Sequence, residues 1–266
     1  MTDQASRFIG TIPQYYDRSL GPRIFNAFAR DLAARVARLK PHAVLELAAG
    51  TGIVSRELRD QLASCCELLV TDLNAPMLEV AAAKFDAADS VRFETADASK
   101  LPFAPASFDA VVCQFGVMFF PEKSASYQQA LRVLKPGGHY VFSVWGPWGE
   151  NPFARIAHDT LAGFFPDDPP GFYRVPFGYC DVDEIHTALA QAGFVGLDAQ
   201  WLAIDSAIPD PFDFASGLIY GNPVLEEILA REGDPDAICA ALAIALEREL
   251  GSTMPLQALV IQARAP

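Results

Sequence analysis

Val44-Leu45-Glu46-Leu47-Ala48-Ala49-Gly50-Thr51-Gly52 decides the fold: an apolar run, a turn of small residues, then the helix-periodic stretch Ile53 to Ala63. The run Ala43 to Leu47 is short and bounded by Pro and Gly, the pattern of a strand covered on both faces. A strand that enters a glycine turn and leaves as a helix lets backbone N–H groups approach a ligand closely. The turn also opens at the carboxyl end of the strand, where open α/β sheets bind their ligands. Glycine turns serve plain strand-to-helix geometry too, so the fragment alone leaves both roles open.

Three other ligand loops do not fit. A P-loop needs Lys and then Ser or Thr after its glycines, whereas Ile53-Val54 follows Gly52. The dinucleotide fingerprint spaces its second and third glycines by two residues, and here Thr51 alone separates Gly50 from Gly52. A nucleophile elbow would require Ser in place of Thr51 within a different glycine frame.

Outward from this turn, helix and strand signals alternate. Upstream, Ile24, Phe25, Phe28, Leu32, Val36 and Leu39 predict an amphipathic helix over Pro22 to Leu39, with Pro near its first turn. Downstream, strands are predicted over Glu67 to Thr71, Val91 to Thr95, Phe108 to Gln114 and Gly138 to Trp145. Helices are predicted over Pro76 to Phe85 and Ser124 to Leu134. Strands alternating with helices of about ten residues mean an α/β fold, a mostly parallel sheet with helices on both faces. After Trp145 the chain is rich in Pro, Gly and aromatics as far as Pro176. A helix over Val182 to Ala192, a strand over Phe194 to Ile204, helical pieces from Pro211 to Leu250 and a strand over Pro255 to Arg264 follow. With no repeat and no clear linker, residues 1–266 are expected to form a single domain: helices over 1–40, a core over 41–145, and an inserted helical lid with the last two strands over 146–266.

The second buried strand ends in a carboxylate, Leu68-Leu69-Val70-Thr71-Asp72. An acid there can accept two hydrogen bonds from a ribose diol and would repel a 2′-phosphate. It can equally cap the helix that begins near Ala75.

Glu46 to Gly52, then Asp72, Asp97 after the third strand, Phe108 to Gln114, and Leu134-Lys135-Pro136-Gly137-Gly138 resemble, in that order, the class I S-adenosylmethionine-dependent methyltransferases. The resemblance is strongest over about residues 40–145 and points to the ubiquinone/menaquinone-type small-molecule branch. It implies a seven-stranded, doubly wound, Rossmann-like sheet with the last strand, Leu256 to Ala263, antiparallel beside the fifth. It also implies a cofactor, S-adenosyl-L-methionine, left as S-adenosyl-L-homocysteine. Ala49, Gly50 and Gly52 would form the turn against its methionine and ribose parts, with Glu46 near the methionine amino group. Ala48 replaces the first glycine of the family pattern and should crowd that turn slightly. Asp72 would bind the ribose hydroxyls and Leu73 the adenine face. Asp97 and the Ala98 backbone would hold the adenine edge, with Gln114 and Phe115 beside the transferring methyl. Tyr16, in Tyr15-Tyr16-Asp17-Arg18, would belong to an N-terminal segment closing over the cofactor.

Net charge is −13 and the pI about 4.6, so phosphate backbones and anionic lipid are poor partners. Hydrophobic residues make up 51% and charged residues 20%, the balance of a folded globule. No apolar run is long enough to span a bilayer, and Met1 to Gly10 lacks the order of a signal peptide, so a cytoplasmic protein is expected. The five cysteines show neither CxxC pairing nor a His partner at metal spacing, and no acidic or His cluster follows the fourth strand; no metal is expected.

The expected function is methyl transfer to O, N or C of a small apolar or aromatic metabolite, driven mainly by positioning. Phe119, in the run Phe115 to Phe120, with Trp145, Phe153 and Tyr220, would line the acceptor pocket. His158 is the histidine best placed to act as a base, against an ordinary helix-surface role. Asp236 to Leu250 reads either as an oligomer face, giving a homodimer, or as a lid packed on the sheet. The alternatives are a catalytically inactive cofactor-binding partner of the same fold, and a methyltransferase for protein or RNA. The acidic charge and the Gln114-Phe115-Gly116-Val117 sequence after the fourth strand count against the latter.

Overall fold

The computed structural model describes residues 5–266; the first four residues of the Met1 to Gly10 stretch lie outside the described residues. Strands β1 (Ala43–Glu46), β2 (Glu67–Asp72), β3 (Val91–Thr95), β4 (Phe108–Gln114), β5 (Leu134–Trp145), β6 (Val195–Ala207) and β7 (Thr253–Arg264) form one sheet in the order β3-β2-β1-β4-β5-β7-β6. The pairings among β1 to β5 are parallel, and β7 runs antiparallel to both β5 and β6. This is the seven-stranded sheet expected from the sequence, with the last strand inserted beside the fifth. The chain winds outward from β1 to β3 and then returns to β4, so a crevice opens where β1 and β4 end.

Strand parity divides the core. Val44, Leu68, Val70, Ala110, Val112 and Val141 face one way and meet Ala29, Leu32, Val36, Val54 and Leu58. Their neighbours Leu45, Leu69, Val111, Cys113, Tyr140 and Phe142 face the other way and meet Tyr127, Ala130, Val133, Ile185 and Leu189. Side chains alternate across a strand, so a near-continuous apolar run serves both layers at once. Each fully buried Leu or Val contributes about 1.5–3 kcal/mol relative to exposure.

The helices are α1 (Ile12–Tyr15), α2 (Asn26–Arg38), α3 (Ile53–Gln61), α4 (Ala75–Ala82), α5 (Lys123–Val133), α6 (Pro152–Phe164), α7 (Val182–Ala192), α8 (Pro211–Tyr220), α9 (Val224–Ala230) and α10 (Pro235–Leu250). Two differ from expectation. The helix predicted over Pro22 to Leu39 is not a single α-helix starting at Pro22: Tyr16–Phe25 is π-helical and α2 follows it. Pro22 cannot donate and would clash in an α-helical interior; the wider turn avoids this, and Asn26 N–H bonds Gly21 O five residues back. In the aromatic-rich stretch after Trp145, α6 forms with Pro152 in its first turn and Phe153, Ile156, Ala157 and Leu161 buried.

Helices α8 to α10, inserted between β6 and β7, pack with α6 and with the π-helical segment. Here α10 buries Ile238, Cys239, Leu242 and Leu246. Among the described residues no helix is long and apolar enough to cross a membrane.

Candidate functional site

Backbone bonding fixes the turn after β1. Leu47 N–H donates to Val112 O, Ala49 N–H to Thr71 O, and Gly50 N–H to an Asp72 carboxylate oxygen at 2.8 Å. Ala48, Gly50 and Gly52 all have positive φ, at 50°, 58° and 77°. For Gly52 the requirement is double, because a Cβ there would lie 2.8 Å from the Cβ of Ala81 on α4. Ala48 carries the strain that a glycine would avoid, about 1–2 kcal/mol. Its methyl is accommodated across the crevice: a Cβ on Gly116 would fall 2.6 Å from that of Ala48 and 2.7 Å from Cys113 Sγ. The crowding expected at Ala48 is thus relieved by the glycine after Phe115.

Asp72 is buried at the end of β2. Besides the bond from Gly50, its other oxygen accepts from Asn74 N–H at 2.8 Å. The N-cap residue of α4 is Asn74 and makes no side-chain cap, so Asp72 braces the entrance to the helix rather than capping it. Burial pushes its carboxyl upward, while the N–H groups of Asn74 and Gly50 pull it back. The oxygen that Asn74 N–H bonds also takes the Asn74 side-chain amide at 3.3 Å, so the free lone pair lies on the oxygen that Gly50 bonds. Leu73, next along, is 56% exposed over the same opening.

Glu46 is buried at the end of β1, and its Oε2 finds no partner among the described residues. Burial, with the Asp72 charge adding to it, pushes the Glu46 carboxyl up to about 8 against the nearby Ser55. Gln114 Oε1, at the end of β4, is likewise buried without a partner. Asp97 is exposed and accepts from both Ser99 N–H and Ser99 Oγ.

Phe115 leaves β4 with φ 53°, uncommon for a bulky residue, and its ring stacks on Trp145 with centroids 3.9 Å apart and planes 3° off parallel. Tyr16 stacks on Phe25 and meets Phe8 edge to face. Its phenol is held neutral by burial and by the charges of Asp72 and Asp17. Asp17 accepts from Thr51 Oγ1 at 2.7 Å and pairs with Lys84, so the segment before α2 is tied to the glycine turn and to the end of α4.

Two adjoining cavities result. The first is lined by Tyr16, Ala48, Gly50, Asp72, Leu73, Asp97, Ala98, Gln114, Phe115 and Phe119 from the sequence prediction. It also takes in Ser6, Phe8, Asn74, Met77 and Glu122, which the sequence did not single out. The second contains the predicted Phe119, Trp145 and Phe153, shares Phe8, Tyr16 and Phe115 with the first, and adds Phe172, Tyr173, Phe177, Leu218 and Asn222. Ala49, Gly52 and Glu46 lie in or under the turn without lining either cavity.

Tyr220 and His158 also line neither cavity. The Tyr220 hydroxyl donates to Asp236 and its ring lies against Tyr15. His158 shares α6 with Phe153 but sits five residues on, about 140° around the helix. It packs against Trp148 with Nε2 at 3.4 Å from an Arg174 nitrogen, and burial and Arg174 push its pKa down.

Residues 44–138 match the profile of the methyltransferase-domain family. A demethylmenaquinone methyltransferase of Deinococcus radiodurans is 34% identical over 152 residues, 56% of this chain and 63% of that protein. Over residues 44–138 the chain carries a methyltransferase domain. A ubiquinone/menaquinone biosynthesis C-methyltransferase of Ectopseudomonas mendocina is 34% identical over 125 residues, 46% of this chain and 48% of that protein. The chain thus spans about half to three fifths of the length of these curated relatives. In fold it is similar to the YcgJ protein of Bacillus subtilis, with TM-score 0.59 and 20% identity, covering 90% of this chain and 98% of that one.

Proposed function

We propose that the chain transfers a methyl group from S-adenosylmethionine to a small apolar or aromatic acceptor, a carbon of a quinol-like ring being the acceptor atom that the relatives' names favour. The observation that carries this is the joining of two unlike cavities through Tyr16 and Phe115: one that holds Asp72, Asp97 and Gln114 at the carboxyl ends of β1, β2 and β4, and an aromatic one without charged side chains beyond it.

The residues present fit the cofactor. Glu46 Oε2 and Gln114 Oε1 are buried acceptors without partners, suited to a cationic amino group, and buried polar atoms ordinarily find partners. Asp72, already aligned by Gly50 and Asn74, has a lone pair for one ribose hydroxyl on the oxygen that Gly50 bonds, and a second hydroxyl would replace the long Asn74 side-chain bond on the other. Leu73 and the Asp97–Ala98 edge would hold the adenine. Bound S-adenosylmethionine supplies an electrophilic methyl on a sulfonium. The Phe115–Trp145 stack would fix the plane of the acceptor and keep water out, an orientation effect worth several kcal/mol.

Calorimetric titration with S-adenosylmethionine and S-adenosylhomocysteine tests the site. Micromolar binding that collapses in Asp72→Ala is expected. Absence of binding to either ligand would withdraw the proposal.

A further inference from the structure

The walls of the second cavity hold no Asp, Glu, His, Lys or Arg side chain among the described residues. An ionised ligand there would lose its hydration and meet no counter-charge, so the cavity favours an uncharged one. Its polar side-chain groups are the Tyr16 and Tyr173 hydroxyls, the Trp145 indole N–H, which can only donate, and the Asn222 amide. The Tyr173 hydroxyl is committed, donating to Leu218 O at 2.7 Å, and burial keeps the phenol neutral. Tyr16 faces the first cavity as well, near Asp72.

Asn222 differs from both. It lies in the link between α8 and α9 and is 7% exposed. Its amide nitrogen donates to Gly217 O at 3.4 Å and Leu218 O at 3.1 Å. The Asn222 amide also bonds toward the Tyr173 hydroxyl, so its neighbours engage its nitrogen and no hydrogen bond to its oxygen is seen among the described residues.

The geometry points to Asn222 as the residue that selects a planar, uncharged acceptor bearing a hydroxyl, which donates to the Asn222 amide oxygen. The assignment rests on the methyl-transfer reading for its substrate, and it extends that reading to a recognised group. An amide oxygen accepts a hydrogen bond without removing the proton, so the hydroxyl seated on Asn222 stays neutral.

Equilibrium dialysis of the full chain with 1-naphthol, naphthalene and 1-naphthoate tests this without any turnover. Wild type should bind 1-naphthol about tenfold more tightly than naphthalene, the worth of one buried hydrogen bond, and 1-naphthoate more weakly than 1-naphthol. In Asn222→Leu the two neutral ligands should bind equally. Loss of the helix-end contacts would weaken both together and leave their ratio unchanged, so the ratio isolates recognition. Asn222→Ser, which keeps a small polar group, should lower the ratio at least threefold if the leucine variant does not fold. A preference for 1-naphthol that persists in both variants, equal binding of 1-naphthoate, or no wild-type binding would overturn the assignment. S-Adenosylhomocysteine binding measured in parallel separates the two ideas. Its absence in wild type sinks the methyl-transfer reading, and an unchanged naphthol ratio with that binding intact sinks the role of Asn222 alone.

Discussion

Glu46→Gln should remove from the ligand-free protein one source of its loss of stability as pH rises. Burial pushes this carboxyl up to about 8 from its ordinary 4.5, opposed by Ser55 and reinforced by the Asp72 charge. Between those two values the unfolded chain gives up a proton that the folded chain retains. Unfolding is therefore favoured progressively as pH rises from 4.5 to about 8. At 1.36 kcal/mol per pH unit, the cost is about 3 kcal/mol at pH 7 and about 5 kcal/mol above pH 8. Glutamine leaves a buried amide short of partners, a penalty of about 1–3 kcal/mol that does not change with pH. Urea unfolding from pH 5 to 9 should therefore show the variant gaining on the wild type by about 2–4 kcal/mol across the range. A gap that stays constant with pH would refute the buried, mainly neutral carboxyl. The same logic applies to the cofactor. If its ammonium seats on Glu46, binding at pH 7 should release close to one proton, read as a dependence of the calorimetric enthalpy on buffer ionisation, and Glu46→Gln should release none.

Gly116→Ala should destabilise the fold by about 1–3 kcal/mol through overpacking, since its methyl would meet that of Ala48. Adding Ala48→Gly should recover only part of the loss, since the clash with Cys113 Sγ remains, and strictly additive unfolding energies would contradict the Ala48 contact. Asp17→Ala frees both Thr51 and Lys84 from the segment before α2. Limited proteolysis should then cut that segment several times faster, with S-adenosylhomocysteine dissociating faster in stopped flow; unchanged cleavage would rule out the tie. Because His158 lines neither cavity, His158→Gln should keep turnover within about threefold of wild type, whereas loss of a general base costs about a hundredfold or more.

Most of the frame was readable from local pattern. Runs such as Val44 to Leu47 and Phe108 to Gln114 are short, mainly apolar and rich in Val, the pattern of strands covered on both faces. The turn through Gly50 and Gly52 announced itself by residue type. Legibility failed where long-range packing decides. The Pro22 region carries helical periodicity, and nothing local shows that the helix continues upstream by widening. Helix α6 has its apolar residues at helical spacing, but the surrounding Pro, Gly and Phe residues masked it. His158 and Phe153 stand close in sequence, and their opposite facings depend on how α6 is rotated against the sheet. The Ala48–Gly116 fit joins two loops 68 residues apart, and the residues that complete the second cavity come from segments whose docking no local signal encodes.

Phe8 and Tyr16 border both cavities, and Asp17 holds their segment down on the glycine turn. The two compartments therefore share a doorway. A displacement of this shared segment would open both compartments at once, so release of the segment from the glycine turn is expected to speed the exchange of both ligands. Their exchange rates should rise and fall together with solvent viscosity, and a molecule trapped in the inner chamber should outlast the nucleoside in front of it.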